Sequence, residues 1–202
     1  EGWRIAVSML YGHLKDRAAA MTMIAKLNLC SEQDAKVQMT MADRKINAVM
    51  STSAGRLFDG VSAILGIRKA STFEGEASMA LEFAAEAYEK KYQNAVDLQN
   101  VMDEMRKQFS LAACIDNKES ESAESNKPEQ VKAVLNTGTL VKAIAEARIA
   151  GEDTEKLAYF FHWILAEEII AACQKARKES GRGTAALSGG VFQNQLLLKM
   201  VD

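Results

Sequence analysis

The stretch Ala185–Asn194, AALSGGVFQN, decides how the rest of the chain reads. Ala185 to Leu187 is a short apolar run of strand character, ended by Ser188. Gly189-Gly190 then turns the chain into Val191 to Val201, where Val191, Leu197, Leu198 and Val201 give the pattern of a helix. A strand that breaks at paired glycines and enters a helix lets a ligand approach the backbone closely, because glycine has no Cβ. The first turn of such a helix also offers unpaired N–H groups to an anion or a polar heterocycle. Gly-Gly after a strand is equally the mark of a plain tight turn. What separates the two readings is the company SGGVFQN keeps upstream.

Bulk properties narrow the field first. A chain of 202 residues, 48% hydrophobic and 26% charged, suits one sizeable domain or two small lobes with real cores. A net charge of −2 gives no electrostatic reason to expect nucleic acid. One proline favours long uninterrupted helices over a turn-rich β fold. No apolar run reaches ~18 residues, so no membrane span is expected. Cys30, Cys114 and Cys173 are odd in number and far apart, which fits reduced thiols and the cytoplasm. His13 and His162 are too few for a metal site built on histidine alone.

Taken in order, the chain predicts helix after helix. Trp3, Val7, Leu10 and Leu14 share a stripe, and Asp16 is placed to cap a second helix over Ala18–Leu27. Ser31 opens S-E-Q-D, a capping-box pattern, for a third helix to about Val49. The methionines here read as adaptable core filler. Ser51-Thr52-Ser53 caps a helix whose Leu57, Phe58, Val61, Ile64 and Leu65 form one apolar face, ended by Gly66. At about 100° per residue, Asp59 points about 160° from the centre of that face, with Arg56 and Ser62 beside it. From the residues alone, Asp59 is a solvated acid paired with Arg56 at i, i+3. Glu74 to Tyr92 predicts the next helix, with Gly75 at its start and Glu74 and Glu76 matching the helix dipole.

Gln93–Arg106 predicts a further short helix. Phe109–Ile115 and Val131–Leu135 read as strands that could pair as an antiparallel hairpin, around a solvated, flexible loop at Asp116–Gln130. Thr137 or Thr139 caps a helix ending at Gly151. Asp153 or Thr154 starts the longest helix, to Ser180, with apolar residues over a wide arc that predicts deep burial. His162 in that run reads as a hydrogen-bonded core histidine, and Trp163 as packing. The fold class expected is mainly α with a small β component.

Five strings carry more than periodicity. They are GWRIAV (Gly2–Val7), STSAGRLFDGVSAILGI (Ser51–Ile67), FEGEASMALE (Phe73–Glu82), LAYFFHWILAEEI (Leu157–Ile169) and SGGVFQN (Ser188–Asn194). In this order they resemble segments of the Kae1-like domain of the hydrogenase-maturation carbamoyltransferases, the HypF family: EPWRMAL, SSxGRLFDAVAALLG, YEGQAAMELE, IAxxFHxxLAxxL and the adenosine-motif loop. The resemblance implies the C-terminal portion of an actin-like (ASKHA) domain over residues 1–202. It implies binding of ATP-derived carbamoyl-adenylate and transfer of the carbamoyl group to the C-terminal cysteine thiol of a partner, the maturation protein HypE. The carbamoyl group would come from carbamoyl phosphate, and the resulting thiocarboxamide would become a cyanide ligand of a nickel-iron hydrogenase.

Residue by residue, the resemblance places Asp59 against the ribose, Gly75 at the ligand, and Gly189 and Gly190 where the nucleotide nears the loop. Asn194, one turn into the last helix, would read a ribose or base edge. Arg56, Glu76 and Ser188 border the cleft, while Gly55 and Gly60 would keep side chains clear of the ligand. The family's iron or zinc site uses HHxAH and PPNDGG motifs that do not occur in this sequence, so no metal ligand is carried over. Two other classes compete. One is a non-catalytic helical module for docking or dimerisation, giving a homo-oligomer. The other is a sister carbamoyltransferase acting on tRNA or a small molecule, and the near-neutral charge argues against tRNA.

Overall fold

Polar side chains cap four of the described helices, while the start after Ser53 has no side-chain cap. The structure, a computed structural model, describes residues 2–47, 51–92, 95–109, 115–116, 134–135 and 137–202, without the side chains of 115–116 and 134–135. After α1 (Gly2–Leu14), the Asp16 carboxylate accepts from Ala18 N at 2.8 Å and Ala19 N at 3.1 Å and starts α2 (Arg17–Lys26). Ser31 Oγ accepts from Asp34 N at 3.1 Å to start α3 (Glu32–Asp43). That helix stops short of Val49: Lys45 and Asn47 have φ of 54° and 49°, left-handed values a helix does not continue through.

Next come α4 (Ala54–Ile64), α5 (Glu76–Glu89) and α6 (Ala95–Gln108), then α7 (Thr137–Ile149) and the 27-residue α8 (Thr154–Ser180). Asp153 caps α8 through Lys156 N at 2.8 Å, and Gly181, at φ 69°, ends it in the left-handed conformation glycine tolerates. A 3-10 turn (Gly190–Gln193) and the short α9 (Gln195–Val201) close the chain.

The described part is mostly helical. Phe109 follows α6 directly and meets Phe160 edge-on at 5.5 Å between centroids, so it belongs to the helical core rather than to a strand. Ile115–Asp116 (β1) and Val134–Leu135 (β2) pair antiparallel over two residues each. The remainder of the two expected strands, and most of the loop between them, lies outside the described residues.

The core gathers on α8. Phe160, Phe161 and Ile164 are fully buried, and α5, α6, α7 and α9 all pack against the helix. Complete burial of one such side chain stabilises by about 1.5–3 kcal/mol, so this wide apolar arc is what holds the layers together. On the other side α1 lies on α4. They come closest at Gly60, where a Cβ would meet Met9 Sδ at 2.7 Å and Ile5 Cγ2 at 3.2 Å. Gly60 therefore serves helix packing and does not face a ligand, contrary to the sequence expectation. Ser62, expected beside Asp59 on the polar face, is fully buried. Leu57, Phe58, Val61, Ile64 and Leu65 are all core, as their spacing predicted.

Candidate functional site

The two ends of AALSGGVFQN have opposite characters. Gly181 to Gly190 is exposed throughout, and Ala185–Leu187 forms no strand. Three small and apolar residues with no neighbouring strand among the described residues have nothing to complete a ladder. Gly189 has φ 104° and ψ 160°, a backbone region in which a side chain is strained. The expected helix over Val191–Val201 breaks at Asn194, whose φ of −67° and ψ of 109° are extended. Asn194 is thus the cap of α9 rather than a residue one turn inside a helix.

That cap is the centre of a buried polar knot. Asn194 Oδ1 accepts from Leu197 N at 2.7 Å. The oxygen must face that N–H, so Nδ2 faces His162 Nε2, 3.0 Å away, and donates to it. His162 Nε2 then carries the lone pair, and Nδ1–H donates to Ala158 O at 2.8 Å. The network assigns the neutral Nδ1–H tautomer. His162 has no exposed surface, and burial pushes its pKa down to about 4, the Ala158 bond opposing this. From α5, Glu82 Oε1 accepts from Gln195 N at 2.6 Å and Leu196 N at 3.2 Å. Phe58 presents its edge to the His162 ring at 5.3 Å and 80°, and Phe161 does so at 5.5 Å.

The start of α9 is consequently closed to an anion, because its first N–H groups are taken by Glu82 and Asn194. Asn194 itself retains one amide hydrogen and one oxygen lone pair, at 8% exposure. Sequence reasoning missed Glu82 and the meeting of His162 with Asn194. The available signal was an acid, Glu82, seated between the apolar Leu81 and Ala85, and a histidine inside the most apolar helix.

Around this knot sits the exposed rim. Asp59, half-buried, turns to Ser78 Oγ at 3.4 Å and makes no ion pair with the exposed Arg56. Burial raises its pKa and the Ser78 bond partly offsets this. Ser78 is in the first turn of α5, just after Gly75, which is exposed at φ 84°. Glu76 is occupied locally: it accepts from Thr72 N at 2.6 Å and Thr72 Oγ1 at 3.0 Å and pairs with Arg68 at 3.3 Å. The Thr72 bonds and Arg68 hold its pKa down. Ser188, Gly189 and Gly190 are exposed, and the turn after them contacts α4. Asp59 and the Gly75 turn are therefore adjacent through Ser78, and the Gly189 turn approaches the same helix.

A cavity of about 450 Å³ lies elsewhere, between α5, α6 and α8. Tyr92, Leu98, Met102, Tyr159 and Trp163 line it, and the Lys199–Glu89 ion pair closes one end at 3.0 Å. None of the residues expected to hold a nucleotide lines it. Trp163 donates to Gln99 Oε1 at 3.1 Å and lies against Phe160, in keeping with packing. Among the described residues no group of three or more His, Cys, Asp or Glu side chains could hold a metal, and both His162 nitrogens are engaged. The described residues do not fit an iron or zinc ion. Among the described residues no helix is long and apolar enough to cross a membrane.

Comparison with known proteins gives the family and the fold. Residues 1–202 match the family described as carbamoyltransferase, Kae1-like domain, second subdomain. The chain is 25% identical over 198 residues to the probable carbamoyltransferase HypF of Methanocaldococcus jannaschii, covering 98% of itself and 21% of that protein. It is 28% identical to the carbamoyltransferase HypF homolog of Cupriavidus necator, covering 100% of itself and 44% of the relative. In structure it is similar to full-length HypF in its phosphate- and nucleotide-bound form, with a TM-score of 0.68, 24% identity and coverage of 98% and 22%. The fold also matches HypF of T. kodakarensis with a TM-score of 0.65, at 20% identity over 97% of this chain and 22% of that one. The chain belongs to the HypF carbamoyltransferase family, as the second subdomain of its Kae1-like domain. It spans less than half the length of these relatives.

Proposed function

We propose that this chain supplies the nucleotide-facing side of a carbamoyltransferase whose donor is carbamoyl-adenylate, formed from carbamoyl phosphate and ATP. The observation that carries the reading is Asp59: a half-buried carboxylate, without the Arg56 pairing, accepting from Ser78 in the helical turn that follows Gly75, and on the helix that the 3-10 turn after Gly189 touches. A carboxylate so placed accepts from ribose hydroxyls, while Gly75, Gly189 and Gly190 leave room for the phosphoryl end. Arg56 and Ser188 complete the rim, and Asn194 has one side-chain amide hydrogen left over in the buried knot behind it. The acceptor proposed is the cysteine thiolate at the C-terminus of a HypE-like protein. Its sulfur attacks the carbamoyl carbon, a C–S bond forms, the C–O bond to phosphate breaks, and AMP leaves with the electron pair. The site contributes mostly by holding the mixed anhydride in line with the thiolate.

The relatives named above favour this branch over tRNA or small-molecule acceptors. The cytoplasm is the proposed compartment, consistent with free Cys30 and Cys173. Exposed Met79 and Phe83, at i and i+4 on α5, favour a second role in self-association, which sedimentation at two concentrations tests. The main reading is tested in the full-length enzyme with a cysteine-terminated acceptor peptide. Asp59→Ala is expected to lower kcat/KM at least 100-fold with the fold intact, and unchanged turnover refutes the assignment.

A further inference from the structure

We infer that His162 and Glu82 are positioning residues that fix the Ser188–Gly190 turn against Asp59, although neither touches the ligand. The ligand side of this inference rests on the proposed nucleotide site. α9 has seven residues and the segment before the 3-10 turn is exposed, so neither flank can hold the glycines in place alone. The turn Gly190–Gln193 runs directly into Asn194, and Asn194 is fixed by His162. The same imidazole packs on Phe58, the residue before Asp59. One side chain on α8 therefore sets the distance between the two proposed arms of the site. Glu82 adds the third arm. It stands seven residues after Gly75, about 10 Å along α5 at about 1.5 Å per residue, and grips Gln195 and Leu196.

The bonding is directional as well as tight. Asn194 can donate to His162 only while Nε2 is unprotonated, and it can face His162 only while its oxygen caps Leu197. Rotating the amide breaks both bonds, so the loop has one seat. A binding site gains from such support because its backbone must be in place before the ligand arrives. The groups facing the imidazole are the apolar rings of Phe58 and Phe161, the Ala158 carbonyl and the Asn194 amide. Of the neighbouring helices, α4 carries one acid, Asp59, and α5 carries Glu76, Glu82, Glu86 and Glu89.

The test combines calorimetric titration of the chain with ATP and amide exchange of residues 190–197. His162→Leu and Glu82→Leu are expected to speed exchange there and to weaken ATP binding at least tenfold. His162→Gln keeps an acceptor for Asn194 and is expected to stay within threefold of wild type in both. Asp59→Ala should lose ATP without changing the exchange, which separates ligand contact from positioning. Wild-type affinity and exchange in His162→Leu overturn the inference and leave the nucleotide site standing. Failure of the wild-type chain to bind ATP removes the nucleotide reading here, and the exchange arm still decides whether these residues seat the loop. Should the leucine variants not fold, Glu82→Gln substitutes: several-fold faster exchange at Gln195 and Leu196 supports the inference, and no change overturns it.

Discussion

Residues 182–190 and 194–197 are neighbours in the chain and opposites in structure. The first segment is exposed throughout and contains neither helix nor strand up to Ser188. The second is bonded through Glu82, His162 and its own asparagine cap. The difference teaches where rigidity is invested. Glycines that admit a ligand have no side chains with which to anchor themselves. The anchoring is done a few residues downstream, by buried polar groups whose loss is costly because each leaves a partner unsatisfied.

The sharpest way to break this contrast is at its buried end. His162→Leu orphans the Asn194 amide, removes the second bond to Ala158 O and loses two ring-edge contacts. The expected cost is about 4 kcal/mol in urea unfolding. A loss below about 1 kcal/mol would mean the knot is incidental.

Acid probes the same bond without mutation. The folded-state pKa of about 4 lies below the ordinary 6.5, so between these values the unfolded chain binds more protons. The His162 contribution is complete above pH 6.5, declines as pH falls, and is exhausted below about 4. Its full span approaches about 3 kcal/mol. Other carboxylates titrate nearby, so the measured quantity is the difference between wild type and His162→Gln. That difference should change across pH 6.5 to 4 and be flat from pH 7 to 8.

Smaller effects sharpen the comparison. Glu82→Leu removes a charge-assisted cap at 9% exposure and should cost about 2 kcal/mol. Gly189→Ala meets no atom within 4 Å but forces a side chain to φ 104°, so about 1 kcal/mol is expected in thermal unfolding. Ser188→Ala, in the exposed arm, should stay within about 0.5 kcal/mol. If Ser188→Ala costs as much as Glu82→Leu, the two segments do not differ as described.

Helices were legible because their signals are local. Asp16, Ser31 and Asp153 cap as their sequence positions suggest, and the Leu57–Leu65 stripe is buried. The break at Asn194 was not legible, since Val191, Leu197, Leu198 and Val201 are spaced as a continuous helix. A cap that works through a histidine 32 residues away and a glutamate 113 residues away leaves no periodic trace. Gly60 was misread for a related reason, because a glycine sparing room for a ligand and one sparing room for Met9 look alike in sequence. The strand expected at Ala185–Leu187 failed because strand character needs a partner, and none lies beside it among the described residues. Asp59 was placed correctly off the apolar face, while its partner proved to be Ser78 rather than Arg56.

The most direct test is residue-resolved amide exchange of the wild-type chain over 183–197 at neutral pH. Gln195, Leu196 and Leu197 should exchange at least 100-fold more slowly than Gly183 to Gly189. Uniformly fast exchange across both segments would contradict the account, because it would show that the buried knot does not hold the loop.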